Sequence, residues 1–196
     1  EALAAFGDAS VYVERFCGNA RHIEVQIVAD RAGHVSHLGE RDCSVQRRHQ
    51  KVVEIAPSPA LTPGMRQQII ESALEFAAAV RYQNIGTFEF LATRDGEFAF
   101  IEANPRLQVE HTVTEAVTGV DIVCAQIRLA EGATLRELGL DTPPALRGYA
   151  VQVRVNMERM NADGSVAPTG GTLTAFEPPT GPGIRTDTFG YSGYTT

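Results

Sequence analysis

No stretch of about 18 consecutive apolar residues occurs, so no segment has the length and apolarity of a membrane-spanning helix. No charged-then-apolar start of the signal-peptide kind opens the chain. A basic excess is missing too: the formal net charge is −7, which argues against a general nucleic-acid binder. Cysteine is sparse. Cys17, Cys43 and Cys124 are odd in number, far apart and without a CxxC pair, which fits free thiols in a reducing compartment such as the cytoplasm rather than a disulfide or zinc framework. Internal repeats and low-complexity tracts are absent. What remains is a chain of 196 residues, 43% hydrophobic, long enough for one sizeable core and part of a second. It opens at Glu1 without Met and closes in a Gly- and Tyr-bearing stretch, and is expected to be a piece of a longer polypeptide.

The segments "SVYVERF" and "RHIEVQIVAD" alternate, predicting half-buried strands with Ile23, Val25 and Ile27 on one face and His22, Glu24 and Gln26 on the other. "QRRHQK" is a basic concentration that leads into a Pro-rich break. Thr62 before Pro63 is an N-cap followed by a first-turn proline, and Met65, Ile69, Ile70, Ala73, Leu74, Ala77 and Val80 follow at helical spacing. "IGTFEFLA" and "EFAFIEAN" are further strands. Asp121 caps a second amphipathic helix that Gly132 ends. After the linker-like "TPPALRG", "YAVQVRVN" alternates again and the tail is rich in Gly, Pro and Thr. The pattern predicts an α+β fold in two parts: residues 1–140 as an antiparallel sheet with packed helices, and residues 145–196 as the start of a mostly β unit.

Asp95-Gly96 is a two-residue hairpin signal. With that loop, Arg94 faces Glu97, and Glu89 faces Glu102 on the same side of the ribbon, with Cβ atoms about 4.5–5.5 Å apart. Phe88, Phe90, Ile101 and Ala103 then point to the opposite face and pack a core. Two carboxylates so close repel and call for a positive partner. Lys or Arg could provide it. Asn104, one step further on the same face, adds a neutral oxygen, and two carboxylates with an amide oxygen suit Mg or Mn carrying nucleotide phosphates. A paired-charge surface is the competing reading. A three-residue loop would break this facing arrangement.

The row continues through "FIEANPRLQVEH". Extended, Glu102 to Glu110 would span about 26 Å at ~3.3 Å per residue, too long for one small ligand, and Pro105 cannot donate a ladder bond. Glu102 and Asn104 are therefore assigned to metal and phosphate. Arg106, Gln108 and Glu110 fall on the loop beyond, where they can converge on a second, anionic ligand: a guanidinium fork for a carboxylate-like group, with a carboxylate beside it as a general base. An ordinary Arg106–Glu110 ion pair is the alternative.

"VYVERF", "ARHIEVQIVAD", "GERDCSVQRRHQKVVEIAPSP", "GTFEFL" and "FIEANPRLQVEHTVTE" together resemble the biotin carboxylase family of ATP-grasp enzymes, over about Ser10 to Val155. The resemblance implies the C-terminal part of an ATP-grasp domain followed by the start of a mostly β biotin carboxylase C-terminal domain. It implies carboxylation of carrier-bound biotin from ATP and bicarbonate. Glu14, Arg15, Phe16 and Cys17 become the hinge against adenine and ribose, and His22, Gln46 and His49 nucleotide contacts. Glu89 and Glu102, supported by Asn104, become holders of two divalent ions. Lys51, Arg106, Gln108 and Val109 become a bicarbonate site. Glu110 becomes the base that deprotonates bicarbonate, Arg106 the stabiliser of the biotin enolate, and Arg154 an arginine that meets this site. The implied partners are a biotin carboxyl carrier and a carboxyltransferase, with a homodimer for the full-length enzyme. The family's N-terminal domain and glycine-rich flap, with two nucleotide-binding lysines, have no counterpart in these residues, so this piece alone is expected not to turn over. The acyl acceptor stays open between acyl-CoA and pyruvate. Another ATP-grasp ligase, such as a carbamoyl-phosphate synthetase-like enzyme, and a non-catalytic module on the same fold are the competing readings.

Overall fold

The structure, a computed structural model, describes residues 1–195. The chain forms two compact units, Glu1–Arg154 and a second that starts at Val155. In the first, a short helix α1 (Ala2–Phe6) precedes β1 (Arg21–Ala29), β2 (Val35–Arg47), β3 (Gln50–Ala56), α2 (Pro63–Ala79), β4 (Asn84–Ala92), β5 (Phe98–Asn104), α3 (His111–Thr118), α4 (Ile122–Ala130) and β6 (Ala150–Val153). The six strands make one antiparallel sheet in the order β5-β4-β1-β2-β3-β6. The second unit holds a two-stranded ribbon, β7 (Glu158–Met160) with β8 (Val166–Pro168), a Thr172–Thr195 bridge, and edge-to-face contacts of Tyr194 with Phe189 and Tyr191.

Local signals set the helix starts. Thr62 Oγ1 accepts a hydrogen bond from Met65 N at 3.2 Å and Pro63 occupies the first turn. Asp121 Oδ1 accepts from Cys124 N at 2.7 Å. One sheet face is apolar: Ile23, Val25, Ile27, Phe88 and Phe90 pack against Ile69, Ile70, Ala73 and Ala77 of α2. The other face changes character along its length. Val28, Leu38 and Ile85 lie with Ile122, Ala125 and Leu129 of α4, and one or two pleats further on the same strands present Gln26, Thr87, Glu24 and Glu89. That polar end is where the functional side chains gather.

Several expectations are corrected. Residues 10–16 form no strand and lie exposed, with Val13 97% accessible. Both edges of β1 are already paired, to β2 and β4, so the alternating segment before it has no ladder to join there. Strand β1 is not half-buried: Glu24 and Gln26 are as buried as Ile23 and Val25. Within "YAVQVRVN", β6 pairs with β3, joining Val53 to Val153 and Ala56 to Ala150, and the second compact unit begins at Val155.

The β4–β5 loop has three residues, Arg94 to Gly96, closed by Thr93 N donating to Glu97 O at 2.8 Å, with Gly96 in the left-handed region. That loop by itself would have separated the two acids. A bulge restores them: Phe90 pairs with Phe100 but Glu89 pairs with Glu102, leaving Ile101 as the extra residue. Ile101 is accordingly exposed rather than in the core, and Phe100 instead stacks on Phe76 of α2.

Candidate active site

The floor of the polar end is Arg41 of β2, which is fully buried. Every N–H of its guanidinium can be accounted for. Nε donates to Glu24 Oε2 at 3.1 Å, Nη1 to Gln26 Oε1 at 2.8 Å and Thr114 Oγ1 at 3.0 Å, and Nη2 to Thr87 Oγ1 at 3.0 Å and Gln108 Oε1 at 3.3 Å. One side chain thus ties β1, β4, α3 and the loop after β5. Burial works against its charge, and its acidic neighbours together, Glu24 foremost and then Glu110, outweigh that cost.

Above it stands Lys51, the only lysine in the chain. Its ammonium meets three carboxylates: Glu24 Oε1, Glu110 Oε1 at 2.8 Å and Glu89 Oε1 at 3.2 Å. Burial disfavours the charge, but Glu24 and Glu110 hold the amine protonated beyond its ordinary range. Glu110 is the N-cap of α3, and its second oxygen accepts from Arg154 Nη2 at 2.9 Å. Burial raises and Lys51 lowers the Glu110 carboxyl; the net result lies below the usual value. A carboxylate held down by its partners stabilises the fold at neutral pH, and that contribution is lost as pH falls below about 4.5 towards the depressed value. Glu110→Gln is therefore expected to cost about 3 kcal/mol at pH 7 and to give a shallower loss of stability on acidification, read from urea unfolding between pH 7 and pH 3. An unchanged acid limb would contradict this.

Glu89 is buried among donors. His22 Nε2 meets its Oε2, while Gln108 Nε2 and Asn104 Nδ2 each donate to its Oε1 at 2.8 Å. Burial opposes its ionisation, yet His22, Lys51 and Gln108 bring its carboxyl down to about 2. The His22 tautomer is fixed from behind. Gln46 Nε2 donates to Cys43 O and to His22 Nδ1, each at 2.9 Å, which leaves Nε2 to carry the proton towards Glu89. At Glu89 the positive partner that the facing acids call for is thus supplied by the protein itself, so the pairing alone does not require an ion.

Glu102 is exposed on the same side, and Asn104 joins the two acids by donating Nδ2 to Glu102 Oε1 at 2.9 Å. The amide oxygen faces away and accepts from Arg106 Nη2 at 3.1 Å. The expected oxygen ligand is therefore turned over here, because two neighbouring carboxylates draw the amide's NH2. The donor set of Glu89, Glu102 and, after an amide flip, Asn104 is hard oxygen from adjacent positions and fits a hard divalent ion. Among the described residues, the tightest His/Cys/Asp/Glu groupings are His22–Glu24–Glu89 and Glu24–Cys43–Glu110, neither containing Glu102.

The remaining residues are spread more widely. Arg106 and Val109 are exposed on the loop between β5 and α3, and Gln108 is buried. His49 sits exposed at the tip of the β2–β3 hairpin, where Arg48 and His49 both take positive φ. Glu14 and Phe16 are exposed and Cys17 is half-buried. Arg15 pairs with Glu97 at 3.2 Å, beside the hairpin tip and five residues along the ribbon from Glu102. Sequence reasoning missed Glu24, Arg41 and Glu54. Glu24 had a signal, standing with His22 and Gln26 on the polar face of β1.

The profile of the family described as "Carbamoyl-phosphate synthase L chain, ATP binding domain" matches residues 1–138. A biotin carboxylase of Nostoc is 50% identical over 194 residues, which is 99% of this chain and 42% of that one. A pyruvate carboxylase of Schizosaccharomyces pombe is 52% identical over 188 residues, 95% of this chain and 16% of that one. The biotin carboxylase domain of Hydrogenobacter thermophilus 2-oxoglutarate carboxylase, solved with MgADP, ADP and bicarbonate, superposes with a TM-score of 0.90 at 43% identity, over all of this chain and 42% of that one. The chain thus spans about two-fifths or less of these relatives. With the profile matching well over half of it, the chain belongs to the carbamoyl-phosphate synthase L chain ATP-binding-domain family, among whose members its relatives include biotin carboxylases.

Proposed function

We propose that this chain is the C-terminal part of an ATP-grasp domain, to about residue 140, with the start of a biotin carboxylase C-terminal domain from about 145. It serves the ATP-dependent carboxylation of carrier-bound biotin by bicarbonate, through carboxyphosphate. The observation that carries the reading is Glu110 gripped between Lys51 and Arg154, next to the facing pair Glu89 and Glu102. His22, Gln46 and His49, with Glu14 through Cys17, contact the nucleotide. Glu89, Glu102 and Asn104 would hold Mg or Mn, which supplies charge neutralisation at the phosphates; the relative solved with MgADP supports the choice of magnesium.

Lys51, Arg106, Gln108 and the backbone of Val109 bind bicarbonate. Glu110 is ionised at neutral pH because Lys51, with Arg41 behind it, outweighs the burial, and it takes the bicarbonate proton as the bicarbonate oxygen attacks the γ-phosphate and ADP leaves. Carboxyphosphate breaks down to carbon dioxide and phosphate, and the phosphate removes the biotin N1 proton. Arg106, exposed and lightly tethered to Asn104 Oδ1, steadies the enolate, which needs a donor that cannot lose its own proton. The partners are a biotin carboxyl carrier and a carboxyltransferase, the full-length protein is a homodimer, and its setting is cytoplasmic. The acceptor is proposed as an acyl-CoA, with pyruvate the alternative; the transferase, not these residues, makes that choice.

The complete protein is expected to cleave ATP only with bicarbonate and faster with biotin. Arg106→Ala is expected to lower biotin carboxylation about 100-fold while the ATP KM stays within about threefold. ATP cleavage indifferent to bicarbonate would overturn the function, and equal loss of carboxylation and nucleotide affinity would overturn the role of Arg106.

A further inference from the structure

We propose that Glu54 is a positioning residue: it fixes the Arg154 guanidinium so that the other arm of that arginine grips Glu110. The inference rests on the carboxylase reading for its kinetic consequence, though not for its geometry. On β2–β3, Gln46 pairs with Lys51 but Val45 pairs with Val53, so Val52 is an extra residue. That slip brings Lys51 and Glu54 to one side of the sheet. The Val52 carbonyl accepts from Arg154 N at 2.9 Å, in the register of the β3–β6 ladder, anchoring the arginine's backbone just past the end of β6. Its side chain is then held at two points, Nε to Glu54 Oε1 at 2.7 Å and Nη2 to Glu110 Oε2 at 2.9 Å.

Glu54 itself is fully buried, and its Oε2 has no hydrogen-bond partner. A carboxylate left half-unsatisfied in the interior costs stability, so its presence needs a reason other than folding. The reason the geometry offers is Arg154. That arginine is the most exposed of the three cations, at 24% of its side chain, and has the most freedom to swing. Around it the charges alternate from Arg41 through Glu24, Lys51, Glu110 and Arg154 to Glu54, and Glu54 closes the series. Burial pushes the Glu54 carboxyl up, against the pull of Arg154.

The test is a double-mutant cycle in the complete carboxylase, using Glu54→Met, which is near in volume but cannot accept a hydrogen bond, with Arg154→Ala. Glu54→Met is expected to lower kcat of bicarbonate-dependent ATP cleavage about 30-fold with the ATP KM within about twofold, and Glu54→Gln, which keeps an acceptor for Arg154 Nε, to recover most of that loss. The double variant is expected to be no slower than Arg154→Ala alone. Additive losses, or a Glu54→Gln no better than Glu54→Met, would overturn the proposal. A readout independent of activity is the Arg154 Nε–H resonance, expected to be slowly exchanging in the parent and fast in Glu54→Met; no difference would also overturn it. A parent lacking bicarbonate dependence sinks the proposed function alone, and the resonance still decides the role of Glu54.

Discussion

Arg41→Met is expected to lower the unfolding free energy by about 3–5 kcal/mol, the range for removing one partner of a buried ion pair. The loss does not come from a single bond. Five N–H groups of Arg41 are shared among Glu24, Gln26, Thr87, Gln108 and Thr114, and the truncation strands acceptors from β1, β4, α3 and the loop before α3. The most expensive of these is Glu24, whose carboxylate is itself fully buried and would keep Lys51 and, at 3.7 Å, the His22 ring. Arg41→Lys is expected to recover little, because an ammonium has three donors on a point and cannot reach five acceptors arranged around a plane. Adding Glu24→Leu to Arg41→Met should return part of the stability, since a buried ion pair replaced as a whole by apolar groups is often tolerated. Urea unfolding of the four proteins checks this. A single variant within about 1 kcal/mol of the parent would show that the Arg41 network contributes little.

Much of the local structure could be read in advance. Thr62-Pro63 and Asp121 start helices for chemical reasons contained in two or three residues. The Glu89–Glu102 pairing was also legible, but by an incomplete route. The loop was expected to have two residues and has three, and a bulge at Ile101 compensates. A bulge depends on how Phe100 packs on Phe76 of a helix distant in sequence, and no local pattern carries that. The segment around Val11 and Val13 failed in the opposite way: alternation marks residues suited to a ladder, but whether a neighbour exists is a property of the whole sheet. α3 went unread because its first residue, His111, follows a loop-like row and its cap, Glu110, uses its carboxylate on Lys51 and Arg154 instead of on the helix.

Within the site, the residues expected to touch ligands were nameable, since their types and spacing are unusual. The buried supports were not. Arg41 and Glu54 sit in stretches where charge ordinarily signals a solvated face, and only the assembled sheet shows them turned inward beneath Lys51 and Arg154. Lys51 did have a signal in composition, as the one lysine against sixteen arginines.

Lys51→Met is expected to reduce bicarbonate-dependent ATP cleavage at least about 1,000-fold in the complete carboxylase and to change the sign of the pH dependence of stability near neutrality. Three carboxylates, Glu24, Glu89 and Glu110, converge on the one ammonium. With Lys51 in place, Glu89 and Glu110 have carboxyl values below the usual one, so neutral pH favours the fold and acid removes that contribution. Without it, the same buried acids face one another with Arg41 and Arg154 as the remaining cations, and burial and mutual repulsion raise their affinity for protons in the folded state. A group whose folded value is raised stabilises the fold below that value and ceases to as pH climbs through it. Thermal unfolding between pH 5 and pH 8 should therefore rise or stay flat with pH in the parent and fall with pH in the variant. The same protonation explains the catalytic loss, because a Glu110 that has already taken a proton cannot accept one from bicarbonate. A variant that is inactive yet keeps the parent's pH profile would mean that Lys51 acts on the substrate alone and does not govern the charge state of the acids around it.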